Sequence, residues 1–319
     1  MTGSDLQIVG RICEWLGQQH EVVLFTVIQT WGSSPRPAGS LLAICANGEF
    51  AGSVSGSCID DDLLRRTADG NFHQCQPHFI YYGETADSQN RFNLPCGGAL
   101  KLLVETGLSL PQFTVIAEKI AQRERICRRI CLSTHESSLH AATSHSVLHA
   151  HEQNLMRNFG PGWRLLLIGA GELSQCVCTL AELFDYQVSV CDPREAYQAS
   201  WPLRHIAVSG QMPDDLVREA AVDDTTAILA LSHDPKLDDM ALMIALEQNA
   251  FYVGAIGSKK NNSNRRQRLL QLGLTRHQVD QLHGPVGLDI GSRTPAEIAL
   301  AILADITAHR HGKKLVSVS

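Results

Sequence analysis

Apolar positions recur along the chain with two different periods. Over residues 4–18, Leu6, Val9, Ile12, Cys13 and Leu16 fall at the three- and four-residue spacing of one helix face. Strand-length apolar or aromatic runs occupy residues 22–28, 41–45, 78–82 and 99–105. Asn47-Gly48, just after the second run, is a hairpin-turn signal. Helices are predicted over 59–68 and 111–123, with one further strand over 127–132. From Trp163 onward the pattern becomes regular. Leu165, Leu166, Leu167 and Ile168 form a continuous run that suits a strand buried on both faces of a parallel sheet. Leu173, Val177, Leu180, Ala181 and Phe184 then line one side of a helix, and residues 187–191 form a second strand. Strands over 205–208, 225–231 and 251–256 alternate with helices over 214–220, 236–248, 262–272 and 275–282. A last helix opens at Thr294, with Pro295 at its first position and Glu297 completing a capping box. The expected class is α/β: an N-terminal α/β domain over 1–132 and a Rossmann-like, doubly wound parallel sheet over 161–319.

Between them, residues 133–160 change character. His135, His140, His145, His149 and His151 crowd among Ser, Thr and Ala. Their spacing matches no metal motif, so the stretch is expected to be a polar linker, with a short strand admitted over 146–148.

Composition narrows the function classes. A chain of 319 residues has room for two cores. A formal net charge of −6 argues against a nucleic-acid partner and gives no basic face for a membrane. No apolar run approaches spanning length, and the first residues read as an amphipathic helix and not a secretory signal. The expected compartment is the cytoplasm. Ten cysteines include no Cys-x-x-Cys pair. Most fit periodic positions as small core side chains, Cys131 and Cys176 included. Cys58 and Cys96 differ, because each sits in a Gly- and Ser-rich loop.

The chemistry concentrates in those loops and in the stretch WRLLLIGAGELSQCVCTLAELFDYQVSVCD over 163–192. Strand, Gly169-Ala170-Gly171, helix, strand and Asp192 follow the order of a dinucleotide site. Gly169 permits the turn, Gly171 lets a pyrophosphate approach the backbone, and the helix N-terminus offers N–H groups. Asp192 stands where an acid bonds a ribose hydroxyl. Ser174 replaces the third glycine of that fingerprint. The alternative is a βαβ unit whose glycines only turn the chain. In a doubly wound sheet the loops at the strand C-termini converge, which adds Ser232-His233-Asp234 and Gly257-Ser258-Lys259-Lys260. His233 is either a base or donor, or a residue capping the next helix. Lys259 and Lys260 oppose the dipole of the helix they open, which points to an anionic ligand.

Several segments together resemble the XdhC/CoxI family. They are Gly32-Ser33-Ser34-Pro35-Arg36, Gly52-Ser53-Val54-Ser55-Gly56-Ser57-Cys58, Pro95-Cys96-Gly97-Gly98, the glycine turn, Ser232-His233-Asp234, residues 254–259, and the glycine segment 283–291 with its Thr294 cap. They span nearly the whole chain in the family's order. Ser57 departs from a glycine often found before the cysteine, and Ser174 from the fingerprint. The resemblance implies a cofactor chaperone without turnover of its own. Such a protein binds the molybdenum cofactor, assists its sulfuration by a cysteine desulfurase and inserts it into an apo molybdenum hydroxylase such as xanthine dehydrogenase. The glycine turn suits the pyrophosphate of a molybdopterin dinucleotide, for instance the cytosine form; whether the cofactor carries that nucleotide stays open, as does a homodimer. Cofactor contacts are then expected at Cys58, Cys96, Gly169, Gly171, Asp192, His233, Ser258 and Lys259. Cys58 and Cys96 are expected at the metal, because thiolates suit soft centres. Two other readings remain: an NAD(P)-dependent oxidoreductase using Asp192 for ribose and His233 as acid–base, and an adaptor that recruits desulfurase and hydroxylase without holding cofactor.

Overall fold

A computed structural model describes residues 5–32, 36–56, 58–73, 76–83, 99–142, 147–151 and 153–313. The chain divides into two units, Met1–Gly162 and Trp163–Ser319.

In the first unit, β1 (Val22–Trp31), β2 (Leu41–Cys45), β3 (Phe50–Gly52), β4 (His78–Tyr82) and β5 (Ala99–Glu105) form an antiparallel sheet ordered β3-β2-β1-β5-β4. Its central strands read as continuous apolar runs because both faces are covered. Val22, Leu24, Leu41 and Ala43 face α1 (Asp5–Gly17) and α3 (Leu110–Ala121), through Val9, Ile12, Trp15, Phe113 and Ile116. Val23, Phe25, Leu42 and Ile44 face the other way, onto Ile59 and Leu63 of α2 (Cys58–Ala68). A two-sided strand loses its polar alternation whichever way its neighbours run.

The stretch expected as a linker is instead sheet. After β6 (Ile126–Cys131) come β7 (Ser137–Ala141), β8 (Leu148–His151) and β9 (Asn154–Phe159), paired in the order β7-β6-β9-β8. Composition misled where period does not. Along β9, Leu155, Arg157 and Phe159 are buried and alternate with half-buried Asn154, Met156 and Asn158. Arg128 and Arg157 stand opposite each other in the β6–β9 register, both buried. Each has its own acid in the unit: Arg128 pairs with Glu105 of β5 at 2.9 Å, and Arg157 with Asp5 of α1 at 2.7 Å. The first, buried pair ties the small sheet to the larger one, and the second ties it to α1. His145 of that stretch lies outside the described residues.

In the second unit, β10 (Arg164–Ile168), β11 (Gln187–Cys191), β12 (Val208–Ser209), β13 (Thr226–Ala230), β14 (Tyr252–Ala255) and β15 (Leu282–His283) are all parallel. Their order is β12-β11-β10-β13-β14-β15, which is the doubly wound Rossmann arrangement. Leu165, Leu167, Ala227, Leu229 and Tyr252 face α4 (Glu172–Leu183) and α10 (Pro295–Arg310). Leu166, Ile168, Ile228, Ala230 and Val253 face α6 (Pro213–Glu219), α7 (Pro235–Ala245) and α8 (Lys259–Gln271). The short α5 (Glu195–Ala199) follows β11. Where one helix was expected over 275–282, the chain forms α9 (Arg276–Asp280) and then the sixth strand. Thr275 starts that helix with a capping box, and Leu282 leaves it to pair beside Val253. No helix among the described residues is long and apolar enough to cross a membrane.

Candidate functional site

Strand order reverses between β10 and β13, so the loops leaving them part and open a crevice at the strand C-termini. Gly169 sits at φ +104°, and a Cβ there would lie 2.5 Å from the Ser232 Cα. It is glycine because the two loops touch backbone to backbone. Gly171 is different. Its φ of −83° suits any residue, and a Cβ would meet nothing within 4 Å. Nothing in the described chain asks for glycine here, so the missing side chain leaves space for something else. Gly171 is also the N-cap of α4, and no side chain caps that helix, whose first N–H groups have no intrahelical partners. An open, uncapped helix start beside a close-packed turn is the geometry that accepts a phosphate. Ser174 is fully buried one turn on, and its Oγ has no hydrogen-bond partner among the described residues. The helix therefore accommodates a hydroxyl where the fingerprint has glycine.

Asp192 directly follows β11 and is fully buried. Its Oδ2 accepts the Ala170 N–H at 2.9 Å and Arg194 Nη2 at 2.7 Å. Its Oδ1 accepts the Arg194 N–H at 3.0 Å and Nε at 2.8 Å. Burial works to raise this carboxyl, and the Arg194 guanidinium with the two N–H groups overrides it, holding it below the usual carboxylate value. Sequence reasoning assigned this acid to a ribose hydroxyl; the structure shows it engaged by the glycine turn and by Arg194.

Ser232 lies in the loop leaving β13, and its Oγ donates to Asp238 Oδ1 at 2.6 Å. His233 is exposed and holds φ +60°, a left-handed conformation costly for a residue with a Cβ. It does not cap α7. That role belongs to Asp234, whose carboxylate accepts the Lys236 N–H at 2.9 Å. After β14, Ser258 caps α8 by accepting the Asn261 N–H, and Lys259 opens the helix, exposed.

Sequence reasoning missed what positions these loops. Buried Arg265 on α8 donates to Asp238 and Asp239 on α7, at 3.1 Å each, and to the Ile256 carbonyl at 2.8 Å. Asn262 Nδ2 donates to the Gly257 carbonyl at 3.0 Å, and a Cβ at Gly284 would lie 2.3 Å from Asn262 Oδ1. The exits of β13, β14 and β15 are thus laced through two helices. The signal was periodicity: Asp238 shares the face of Ala241, Leu242 and Ala245, and Asn262 and Arg265 share that of Leu269.

The first unit has its own small-residue loop, described over 52–56. Asp60 Oδ1 accepts the Val54 and Ser55 N–H groups at 3.0 and 3.1 Å. Its Oδ2 accepts Ser53 Oγ at 2.6 Å and the Gly56 N–H at 2.9 Å. That carboxylate, in the first turn of α2, closes the loop. Cys58 is the first residue of α2 and is exposed. Buried Asp62 anchors the same helix, accepting the Tyr82 hydroxyl at 2.8 Å and Arg65 at 2.5 Å. Cys131, grouped above with core cysteines, is half-buried; hydrogen bonds from Ser133 and then Thr134 push its thiol down to about 6. Cys96 lies outside the described residues. Among those residues no group of three or more His, Cys, Asp or Glu is arranged to hold a metal ion.

Residues 165–306 match the XdhC Rossmann domain, and residues 15–75 match the XdhC and CoxI family. The chain belongs to the XdhC/CoxI family. It is 26% identical over 322 residues to the molybdenum cofactor insertion chaperone PaoD of Escherichia coli, with 97% of this chain and 90% of that one covered. Over 333 residues it is 26% identical to a probable xanthine dehydrogenase subunit of Bacillus subtilis, covering 92% and 95%. A crystal structure described as a xanthine dehydrogenase from Bacillus halodurans shares the fold, with a TM-score of 0.76 over 99% of this chain and 98% of that one at 22% identity. Within the XdhC/CoxI frame, the matched Rossmann segment contains every crevice residue named above.

Proposed function

We propose that this XdhC/CoxI protein carries the molybdenum cofactor as cargo and delivers it, after sulfuration by a cysteine desulfurase, to an apo molybdenum hydroxylase in the cytoplasm. It holds the cofactor without chemical turnover of its own. The relatives named for cofactor insertion and for xanthine dehydrogenase support the carrier role. The observation that carries the binding mode is Gly171, a glycine no described neighbour requires, at the uncapped start of α4. That opening suits a pyrophosphate, which supports the dinucleotide form of molybdopterin as the cargo. His233, exposed in a strained conformation, supplies a donor from the β13 loop beside the turn, and Ser258 and Lys259 supply donors from the β14 loop beyond it. Cys58 offers an exposed thiol at the N-terminus of α2 as the soft ligand toward molybdenum or its terminal sulfur, with Cys96 as its partner.

The engagement of Asp192 by Arg194 counts against an oxidoreductase that binds NAD through a ribose–carboxylate bond. The test is reconstitution of an apo molybdenum hydroxylase with cofactor-loaded protein. Cys58→Ser keeps size and removes the soft ligand, so it is expected to fold normally and to lower activation of the client at least tenfold, more than Cys176→Ser does. Full activation by both Cys58→Ser and Cys96→Ser proteins would contradict the assignment of the thiols.

A further inference from the structure

The residue that decides what the crevice binds is Arg194, which neither the fingerprint nor the family resemblance singled out. In a doubly wound site the pyrophosphate lies on the first glycine turn, and the nucleoside half extends toward the end of the second strand, here β11. The acid at that end normally receives a ribose hydroxyl. Asp192 is not presented for that role. It is fully buried, and Nε and Nη2 of Arg194 cover both oxygens. What faces outward is the arginine itself, with 29% of its side chain exposed.

Its guanidinium is held from two more directions. Cζ lies 3.8 Å from the centroid of the Tyr197 ring, a close cation–π contact with a residue that is itself 39% exposed. From the β13 loop the Asp234 charge also acts on it. The Nη1 group makes no hydrogen bond among the described residues. A planar cation clamped by a carboxylate and a phenol ring, with one nitrogen to spare, is a preformed reader of acceptor groups. Gln198 fixes the same turn, donating to the Asp192 carbonyl at 2.9 Å.

We infer that Arg194, seated on Tyr197, is the specificity-determining residue for the nucleoside end of the ligand, selecting acceptor-bearing nucleotides over the free ribose diol of an NAD-type ligand. The acceptors are either a phosphate on the ribose or the carbonyl and ring-nitrogen edge of a pyrimidine. This inference rests on the crevice being the nucleotide site, as proposed above.

Calorimetric titration of the full chain with NAD+, NADP+ and CDP tests it. NAD+ and NADP+ differ by one ribose phosphate, so their ratio reports the cation directly, while CDP reports the pyrimidine edge. The parent is expected to bind NADP+, CDP or both at least tenfold more tightly than NAD+. Arg194→Ala is expected to erase that preference and to strengthen NAD+, because Asp192 is uncovered. Arg194→Gln, which keeps an N–H donor for Asp192, serves if the alanine variant unfolds, and is also expected to lose the preference. Gly171→Val separates the two ideas. If it abolishes binding while the Arg194 variants leave the order of affinities unchanged, the specificity inference is overturned and the crevice stands. If the parent binds none of the three, or if folded Gly171→Val binds as the parent does, the crevice reading falls and the inference with it.

Discussion

Both units place a carboxylate against the backbone of a small-residue turn, and they use it in opposite ways. In the first unit Asp60 gathers the N–H groups of Val54, Ser55 and Gly56. That loop's donors are spent on the protein itself, and what it presents outward is the thiol of Cys58. In the second unit Asp192 takes one N–H of the glycine turn, that of Ala170, and leaves the start of α4 uncapped. That turn presents backbone. A stretch rich in Gly and Ser is therefore no guide by itself to anion binding. The deciding question is whether an acid already occupies its N–H groups.

The comparison can be broken in several places. The largest effect is expected at Arg265, which joins the loops around the second turn through Asp238 and Asp239. Arg265→Ala leaves the fully buried Asp238 without its cation, while Asp239 keeps Arg268 at 2.7 Å, and should destabilise the C-terminal unit by about 3–5 kcal/mol. Denaturant unfolding followed through Trp163 and Trp201 measures it, and a loss under 1 kcal/mol would mean the network is not what holds those loops. Next come the two glycines. Gly169→Ala forces a Cβ onto the Ser232 backbone at positive φ and should cost roughly 2–4 kcal/mol. Gly171→Ala meets open space at an ordinary φ and should stay within about 0.5 kcal/mol. Equal costs at both positions would erase the distinction between a packing glycine and a binding glycine.

In the first unit, Asp60→Ala removes charge-assisted bonds worth about 1.5–3 kcal/mol each in favourable cases. Faster amide exchange at residues 54–56 is the expected readout, with the second unit unaffected. The smallest effect concerns pH. His283 stacks on Tyr252 at 4.1 Å, and His309, Arg266 and Asp305 surround it. Burial lowers its pKa from the ordinary 6.5, and the opposing pull of Asp305 does not restore it. A histidine whose folded value lies below its unfolded one binds fewer protons when folded. Its contribution is complete above about pH 6.5 and is lost as pH falls toward the lowered value. His283→Phe should flatten that decline; an unchanged pH profile would assign it to other groups.

The second unit was legible from its sequence because a parallel sheet buried on both faces writes each strand as an apolar run and each helix as a 3.6-residue stripe. The glycine turn and the capping box at Thr294 were legible for the same local reasons. The region over 133–160 was not, because His and Ser at strand positions look like linker composition while Leu155 and Phe159 carry the alternation. The roles of Asp60 and Asp192 escaped because a carboxylate's partner is set by tertiary approach. Local sequence shows an acid near a glycine turn; only the fold shows which N–H groups or guanidinium reach it first.

The central claim, that the glycine turn of the second unit holds the nucleotide end of a molybdenum cofactor, has a direct test. Full-length protein is purified from a host that makes the dinucleotide form, and bound molybdenum and acid-released nucleotide are quantified in the parent and in Gly171→Val. The account predicts molybdenum and nucleotide in near-equal amounts on the parent, and loss of both from a Gly171→Val protein that retains its fold. Molybdenum without nucleotide on the parent, or full retention of both by the folded variant, would contradict it.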